Sequence, residues 1–392
     1  MAPIKSSLAR SAKQLLGLFN TADLGLRGAA QISKVPPPEK VTASGGDIVD
    51  ALAPGNGYKY HTFSSPGNFT VTAGFGSLGI IEVLVVAGGG SGSSTNIAGG
   101  AGAGGVVLAT GYQVTPGTYP VSVGAGGVSP AFSGPNPTRT GNPGNDSYFG
   151  PSGARLTAKG GGGGGNSYTN TPGGQAGGSG AGGGANSPPY PFGDSDNAQP
   201  GPATQPGQTH PGAPGTINNY GNAGGTGGGG PSGPNLAGAG GGGAGGAGAS
   251  MTWPQPSSGN PSDGGAGQPF PDFAYPLCFP GPDASTLGPN SPNNSHYAGG
   301  GGGGRHIAGG ASAQPGPTAG GVGGGGRGGN GRSDWGGYAA TDGVDYLGAG
   351  GGDAKSNVDA KIIVEAGSSA AGAPKADGPR KAAPAAKLKT NG

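Results

Sequence analysis

The chain has 392 residues, of which 100 are glycine and 39 are proline, and its formal net charge is +2. Glycine does not recur at every third position, which excludes a collagen triple helix. Only 31% of the residues are hydrophobic, so the chain is either a disordered low-complexity protein or a fold in which glycine itself forms the packing surface.

A short helix is predicted near the N-terminus, where Ser6 or Ser7 can cap an apolar run with helical spacing. A helix of this length is marginal alone in water, so its apolar face is expected to dock on the rest of the chain or on a partner. We assign this helical arm to residues 1–35, followed by a proline-rich linker over 36–57. The apolar residues of the arm are Leu8, Leu15, Leu16, Phe19 and Leu24.

A β-rich subdomain is predicted over residues 58–159. Its short runs of β-branched and aromatic residues are bounded by Gly, Pro or Asn, which is typical of antiparallel strands in a sandwich. A closing strand is predicted within residues 353–367, which contain KIIVEAG. The strand candidates in chain order are YKYHTF, NFTVTA, IIEVLVVA, GVVLATGYQV, GTYPVSVGA and SYFGPSGARLTAK.

Blocks of glycine recur over residues 160–352 and alternate with segments rich in Pro, Asn and Ser. A polyproline-II helix has three residues per turn and no internal hydrogen bonds, so its backbone groups can bond neighbouring helices where glycine lets them approach. The stretch AGGGSGSSTNIAGGAGAGG between VLVVA and VVLATGYQ is predicted to be the first crossing into this layer. The predicted fold is therefore mainly β and irregular, with a short N-terminal helical arm, an antiparallel β-sandwich-like subdomain and a polyglycine-II helix bundle with exposed loops.

Large aromatic residues stand beside prolines in the polar segments between the glycine blocks. Rigid rings beside Asn, Ser and Asp suit a carbohydrate or protein receptor surface. The alternative is that these rings cap the ends of the glycine rods. The candidate receptor-contact residues are Tyr190, Phe192, Trp253, Phe270, Phe273, Tyr275 and Trp335.

Residues that carry chemistry are sparse. The four histidines, His61, His210, His296 and His306, lack metal-ligand spacing, and no nucleophile triad is evident, so no enzymatic activity, cofactor or metal site is predicted. Cys278 is the single cysteine, which excludes an intrachain disulfide. The longest apolar run is too short to span a membrane.

One arginine-containing segment, GGGGRGGNGR at 323–332, is similar to Arg-Gly segments that bind RNA. It holds only two arginines in an acidic region, so no nucleic-acid partner is expected.

An ordered series of motifs runs through most of the chain. It includes VLVVAGGG (83–90), GAGGVVLATGYQV (102–114), GTYPVSVGAGG (117–127), YAGGGGGGR (297–305) and KIIVEAG (361–367). The series resembles the glycine-rich domain of phage tail fibres and related virion appendage proteins, over roughly residues 60–367. A looser similarity links it to tail-tip adhesins that stack polyglycine-II helices and present loops to the host.

The resemblance implies a virion structural protein, made in the host cytoplasm, that is attached to the particle by its N-terminal arm. Its implied partners are other virion structural proteins and a host surface polysaccharide or outer-membrane protein, without membrane insertion, and a homotrimer is one assembly it allows. Two departures are the short region before the domain and the basic Ala/Pro/Lys tail over 368–392. They leave open an alternative, a connector or decoration protein that contacts other virion proteins without receptor binding.

Overall fold

The computed structural model describes fifteen ranges of the chain, all within the compact unit Lys40–Ser368. The predicted helical arm, with Leu8, Leu15, Leu16, Phe19 and Leu24, and the basic tail lie outside the described residues. The described ranges are 41–49, 58–73, 79–93, 97–130, 140–166, 173–185, 198–209, 215–228, 235–251, 262–273, 295–307, 318–329, 340–344, 347–351 and 361–367.

The described part of the chain consists of short strands and irregular segments, with one 3-10 helix at Pro271–Phe273. The strands are β1 (Thr42–Ser44), β2 (Ile48–Val49), β3 (Tyr58–Phe63), β4 (Gly67–Ala73), β5 (Ile80–Val86), β6 (Val106–Gln113), β7 (Gly117–Ser122), β8 (Ser147–Phe149), β9 (Leu156–Ala158), β10 (Ile217–Tyr220), β11 (Asn235–Ala237), β12 (Gln268–Pro269), β13 (His296–Tyr297), β14 (Arg305–Ile307) and β15 (Lys361–Gly367).

Two antiparallel sheets form the strand layer. The first has the order β1-β4-β7-β8-β9 and the second has the order β10-β6-β5-β15-β3-β2, while β11-β14 and β12-β13 are separate pairs. The predicted mainly strand and irregular fold with antiparallel sheets is therefore confirmed. The strand in KIIVEAG lies in the second sheet between β5 and β3, with Lys361 opposite Val86 and Gly367 opposite Tyr58.

Strand β5 contributes side chains to two apolar cores, one on each face of its sheet. Its alternate residues point to opposite faces, so Val83 and Val85 belong to the core between the two sheets. Leu84 and Val86 belong to a second apolar cluster on the other face, which includes Ala103 and other residues of the glycine segments. Because both faces are buried, the run lacks the polar alternation of a strand with one face in water.

Aromatic rings fill the core between the sheets. The rings of Tyr119 and Phe149 stack with centroids 5.8 Å apart, while Tyr112 meets Phe149 edge to face at 5.4 Å. Burial and the nearby Tyr119 raise the pKa of Tyr112, so its hydroxyl stays protonated and donates a hydrogen bond to the Ala154 carbonyl at 2.9 Å. The polar end of the ring is thereby satisfied inside an apolar cluster.

The turn between β3 and β4 is held by Asp47, and acidification is expected to weaken it. The backbone N–H and hydroxyl of Ser64 both donate to the Asp47 carboxylate at 2.6 Å. Burial alone would raise the pKa of Asp47, but hydrogen bonds from Ser64 and Ser65 outweigh it and hold the pKa below its ordinary value of 3.8. Ionised Asp47 therefore stabilises the fold above about pH 4, and this contribution is lost as the pH falls through the lowered pKa.

We expect Asp47→Asn to lower the free energy of unfolding at pH 7 by less than about 1 kcal/mol, because the carboxylate is largely exposed. The difference between wild type and variant should shrink below about pH 4. Urea unfolding at pH 7 and pH 3 measures it, and a difference that stays constant between these pH values would contradict the assignment.

Candidate functional site

Residues 98–105, AGGAGAGG, lie at the centre of a hydrogen-bond network among glycine segments. The amides of Gly99, Gly102 and Gly105 all donate to one neighbouring segment, 159–165, with N to O distances of 2.8 to 2.9 Å. The next residues along the chain donate with the same step of three to two further segments, 239–242 and 348–351.

The carbonyl groups of the central segment repeat this arrangement toward other neighbours. They accept hydrogen bonds from segments 87–90, 179–182 and 301–304, again at every third residue. Six segments therefore surround residues 98–105. A repeat of three residues is that of a polyproline-II helix, whose backbone groups point outward in three directions. We call the set of laterally bonded glycine segments the glycine bundle.

The hydrogen bonds of residues 98–105 follow one another along the chain, and they define two ends of the glycine bundle. Ala87 directly follows β5 and Gly105 directly precedes β6, and the amide of Ala87 donates to the Gly105 carbonyl at 3.1 Å. This is the strand end. Ala98, whose carbonyl accepts from Gly304 at 2.8 Å, lies about 22 Å further along at a rise of about 3.1 Å per residue. We call this the distal end.

Eight connections between bundle segments have both flanking described residues at the distal end, where those residues form their hydrogen bonds. Ala185 donates to Ile97, Gly303 donates to Ser262, and Arg305 donates to Gly329, all through backbone groups. The connections with distal flanking residues are 94–96, 131–139, 167–172, 186–197, 229–234, 252–261, 308–317 and 330–339.

Five of the predicted receptor-contact residues lie in connections outside the described residues. Tyr190 and Phe192 belong to 186–197, while Trp253 and Trp335 belong to two other connections with distal flanking residues. Tyr275 differs, because its connection, 274–294, is flanked by residues at the strand end. The described residues that flank these connections therefore lie at the distal end for four of the aromatic residues and at the strand end for Tyr275.

The other two predicted contact residues, Phe270 and Phe273, are buried, with 4% and 1% of their surface exposed. They pack in the second apolar cluster with Leu84 and Val86 of β5. The Tyr297 hydroxyl donates to the Phe273 carbonyl at 2.6 Å. The apolar surface of these two rings therefore lies within the second apolar cluster at the strand end of the bundle.

A buried polar group lies near the distal end. Arg305 is 3% exposed and Thr318, whose hydroxyl donates to the Gly303 carbonyl, is 1% exposed. Burial lowers the pKa of Arg305 and raises that of Asp263, while the attraction between the two charges opposes both shifts. Asp263 also accepts a hydrogen bond from the Ala319 amide at 2.7 Å. These side chains link three bundle segments at the end from which the connections leave.

The described residues contain no group of three or more His, Cys, Asp or Glu side chains that could hold a metal ion. His61 is buried in the sandwich, where its Nδ1 lies 2.7 Å from the Gly45 carbonyl oxygen and its ring meets Phe69 edge to face at 5.2 Å. His210 lies outside the described residues. Among the described residues, no helix is long and apolar enough to cross a membrane.

Sequence reasoning did not single out Arg305 or Tyr297. Both residues flank the glycine run of YAGGGGGGR, and a run of six glycines between a ring and a charge is a signal that each marks one end of a rod. The structure bears this pattern out, with Tyr297 in the apolar cluster at the strand end and Arg305 at the distal end.

A family model described as a glycine-rich domain matches residues 63–269, just over half of the chain. The match begins at the last residue of β3 and ends within β12, so it includes the central segment 98–105 and most of its neighbours. No curated protein matches the chain.

Proposed function

The chain belongs to the glycine-rich domain family, and on that basis we propose that it is a phage virion structural protein, a fibre or adhesin that contacts the host surface through the distal end. The observation that carries the proposal is the grouping of connections there. Four aromatic residues, Tyr190, Phe192, Trp253 and Trp335, belong to connections whose flanking residues bond at that end. Rigid aromatic residues in polar segments are common in surfaces that bind carbohydrate or protein.

In this proposal the glycine segments form a polyglycine-II bundle whose role is to hold the connections in fixed relative positions. The bonding period of three along residues 98–105 supports it. A scaffold bonded through backbone on all sides leaves the connecting segments free to vary in sequence, which suits recognition of variable surfaces. The role is structural and involves no enzymatic activity and no cofactor.

Attachment to the particle is proposed to use the N-terminal arm, residues 1–35, with other virion structural proteins as partners. The motif series from VLVVAGGG to KIIVEAG, which resembles phage tail-fibre domains, supports a location in the virion. Host surface polysaccharide or an outer-membrane protein is the proposed ligand of the distal connections.

Adsorption of phage particles tests the distal end directly. We expect Trp253→Ala together with Trp335→Ala to lower the rate of adsorption to host cells at least about tenfold, because aromatic residues dominate binding energy at interfaces. Tyr275→Ala is the matched control, since its connection is flanked at the strand end, and it should leave adsorption unchanged. Immunoblots of purified particles establish that each variant is incorporated equally.

The alternative, a connector or decoration protein, predicts another result. Adsorption would then be equal for all variants, whereas the loss of tryptophans at a contact with other virion proteins would reduce incorporation or particle stability. Equal adsorption with normal incorporation would contradict the adhesin function.

A further inference from the structure

Strands β9 and β10 are edge strands of the two sheets, and side-chain hydrogen bonds connect them where a further strand is lacking. Strand β9 is the last strand of the first sheet and β10 is the first strand of the second. An edge strand presents unpaired N–H and C=O groups that can pair with another chain. Each of these strands therefore needs a partner for its outward backbone groups.

Gln208 bonds the outward backbone groups of β9 as a strand residue would. Its Oε1 accepts from the Thr157 amide at 2.6 Å, and its Nε2 donates to the Thr157 carbonyl at 2.7 Å. A glutamine amide offers one donor and one acceptor side by side, and the two bonds reproduce the pair exchanged by facing residues in an antiparallel ladder.

The side-chain amide of Gln205 bonds the backbone of β9 in a similar way, and its bonds reach two residues further, to Lys159. Its Oε1 accepts from the Lys159 amide at 2.9 Å, and its Nε2 donates to the Thr157 carbonyl at 3.0 Å. Thr157 and Lys159 are two residues apart, so both present their backbone groups to the same side of β9. The two glutamines thus cover consecutive outward groups.

The same amides reach the second sheet. Gln208 Nε2 lies 3.0 Å from Asn219 Oδ1 and Gln205 Nε2 lies 3.5 Å from it, and Asn219 belongs to β10. The side of the sandwich bounded by β9 and β10 is therefore closed by three side-chain amides.

We propose that Gln205 and Gln208 form an amide clamp that takes the place of an edge strand and prevents β9 from pairing with the β9 strand of a second copy of this chain. The clamp acts within the folded unit and does not depend on the proposed host attachment. The partner excluded is another copy, because identical edge strands can pair antiparallel with each other about a two-fold axis.

The full chain carrying Gln205→Ala and Gln208→Ala tests the clamp by two measurements. Hydrogen exchange of the Thr157 and Lys159 amides is expected to become at least about tenfold faster at low protein concentration, since each loses its acceptor. Light scattering after size exclusion is expected to show association beyond the wild-type mass as the concentration rises. Gln175→Ala, a half-buried glutamine elsewhere in the glycine bundle, is the control and should change neither quantity.

A second double variant, Gln205→Glu with Gln208→Glu, also removes the side-chain amides, but it places charged side chains along the edge of β9. Charged side chains deter edge pairing, so this variant should stay at the wild-type mass. If the double alanine variant does not fold, the single variant Gln208→Ala tests the clamp through exchange of the Thr157 amide and through the mass, since the Lys159 amide keeps Gln205 as its acceptor. Faster exchange with unchanged mass in the alanine variants would overturn the role against self-pairing, and unchanged exchange would overturn the clamp itself.

Discussion

Gly102→Ala is expected to lower the free energy of unfolding by at least about 4 kcal/mol, at the upper end of what single substitutions do. A Cβ atom on Gly102 would collide with the backbone carbonyl oxygen of Ser179 and lie 2.7 Å from the carbonyl carbon of Gly180. Both obstacles are backbone atoms of a segment that is itself bonded to the central segment, so neither can yield as a flexible side chain would. Valine at this position is expected to prevent folding.

Gly207→Ala is the matched control, because a Cβ there would meet no atom within 4 Å. Its effect is expected to stay within about 1 kcal/mol of wild type, since alanine at an unstrained position restricts the unfolded chain slightly. Urea unfolding followed by circular dichroism measures both variants. If Gly102→Ala proved as stable as Gly207→Ala, residues 98–105 would be a surface loop and not a packed segment.

Phe149→Ala is expected to cost about 3–5 kcal/mol, the usual range for removal of a buried ring. Phe149 is fully buried and its ring touches those of Phe69, Tyr112 and Tyr119, with centroids 5.4 to 5.9 Å away. Its loss leaves a cavity between the two sheets. The midpoint of urea unfolding is the measurement.

The adjacent residue gives the control for this change. Tyr148 lies on the other face of β8, where the guanidinium of Arg155 sits 3.8 Å from its ring centroid. Tyr148 is half-buried, and Tyr148→Ala loses a cation–π contact worth about 0.5–1 kcal/mol. Equal losses for Tyr148→Ala and Phe149→Ala would contradict a core located between the sheets.

Much of the strand layer could be predicted from the sequence, because β-branched and aromatic runs between turn residues carry a local signal. The runs YKYHTF and GVVLATGYQV contain β3 and β6, and NFTVTA contains all of β4 except its first residue, Gly67. The strands β10 to β14 could not be found this way. They are two to four residues long, lie among Asn, Gln and Gly, and exist because distant segments pair with them.

The candidate site was predictable only in part, since local sequence does not show which surface a ring will cover. Phe270 stands beside prolines just as Trp253 does, yet it packs against Tyr220 and Tyr297 in the second apolar cluster. Gln205 and Gln208 lie in TQPGQTH, which looks like any polar turn. Their role depends on Thr157, some fifty residues earlier in the chain.

The hydrogen bonds of the central segment also determine when this protein can fold. The amide of Ala101 donates to the carbonyl of Gly351, which follows it by 250 residues. Strand β5 likewise pairs with β15, near the end of the unit. While the ribosome has made only the first half of the chain, the hydrogen bonds of residues 98–105 and of β5 therefore remain incomplete. Contacts of such sequence separation slow folding and expose unfinished edges to aggregation. Folding of the unit is therefore expected to be post-translational, and a chain truncated before residue 340 should aggregate instead of forming a smaller stable core.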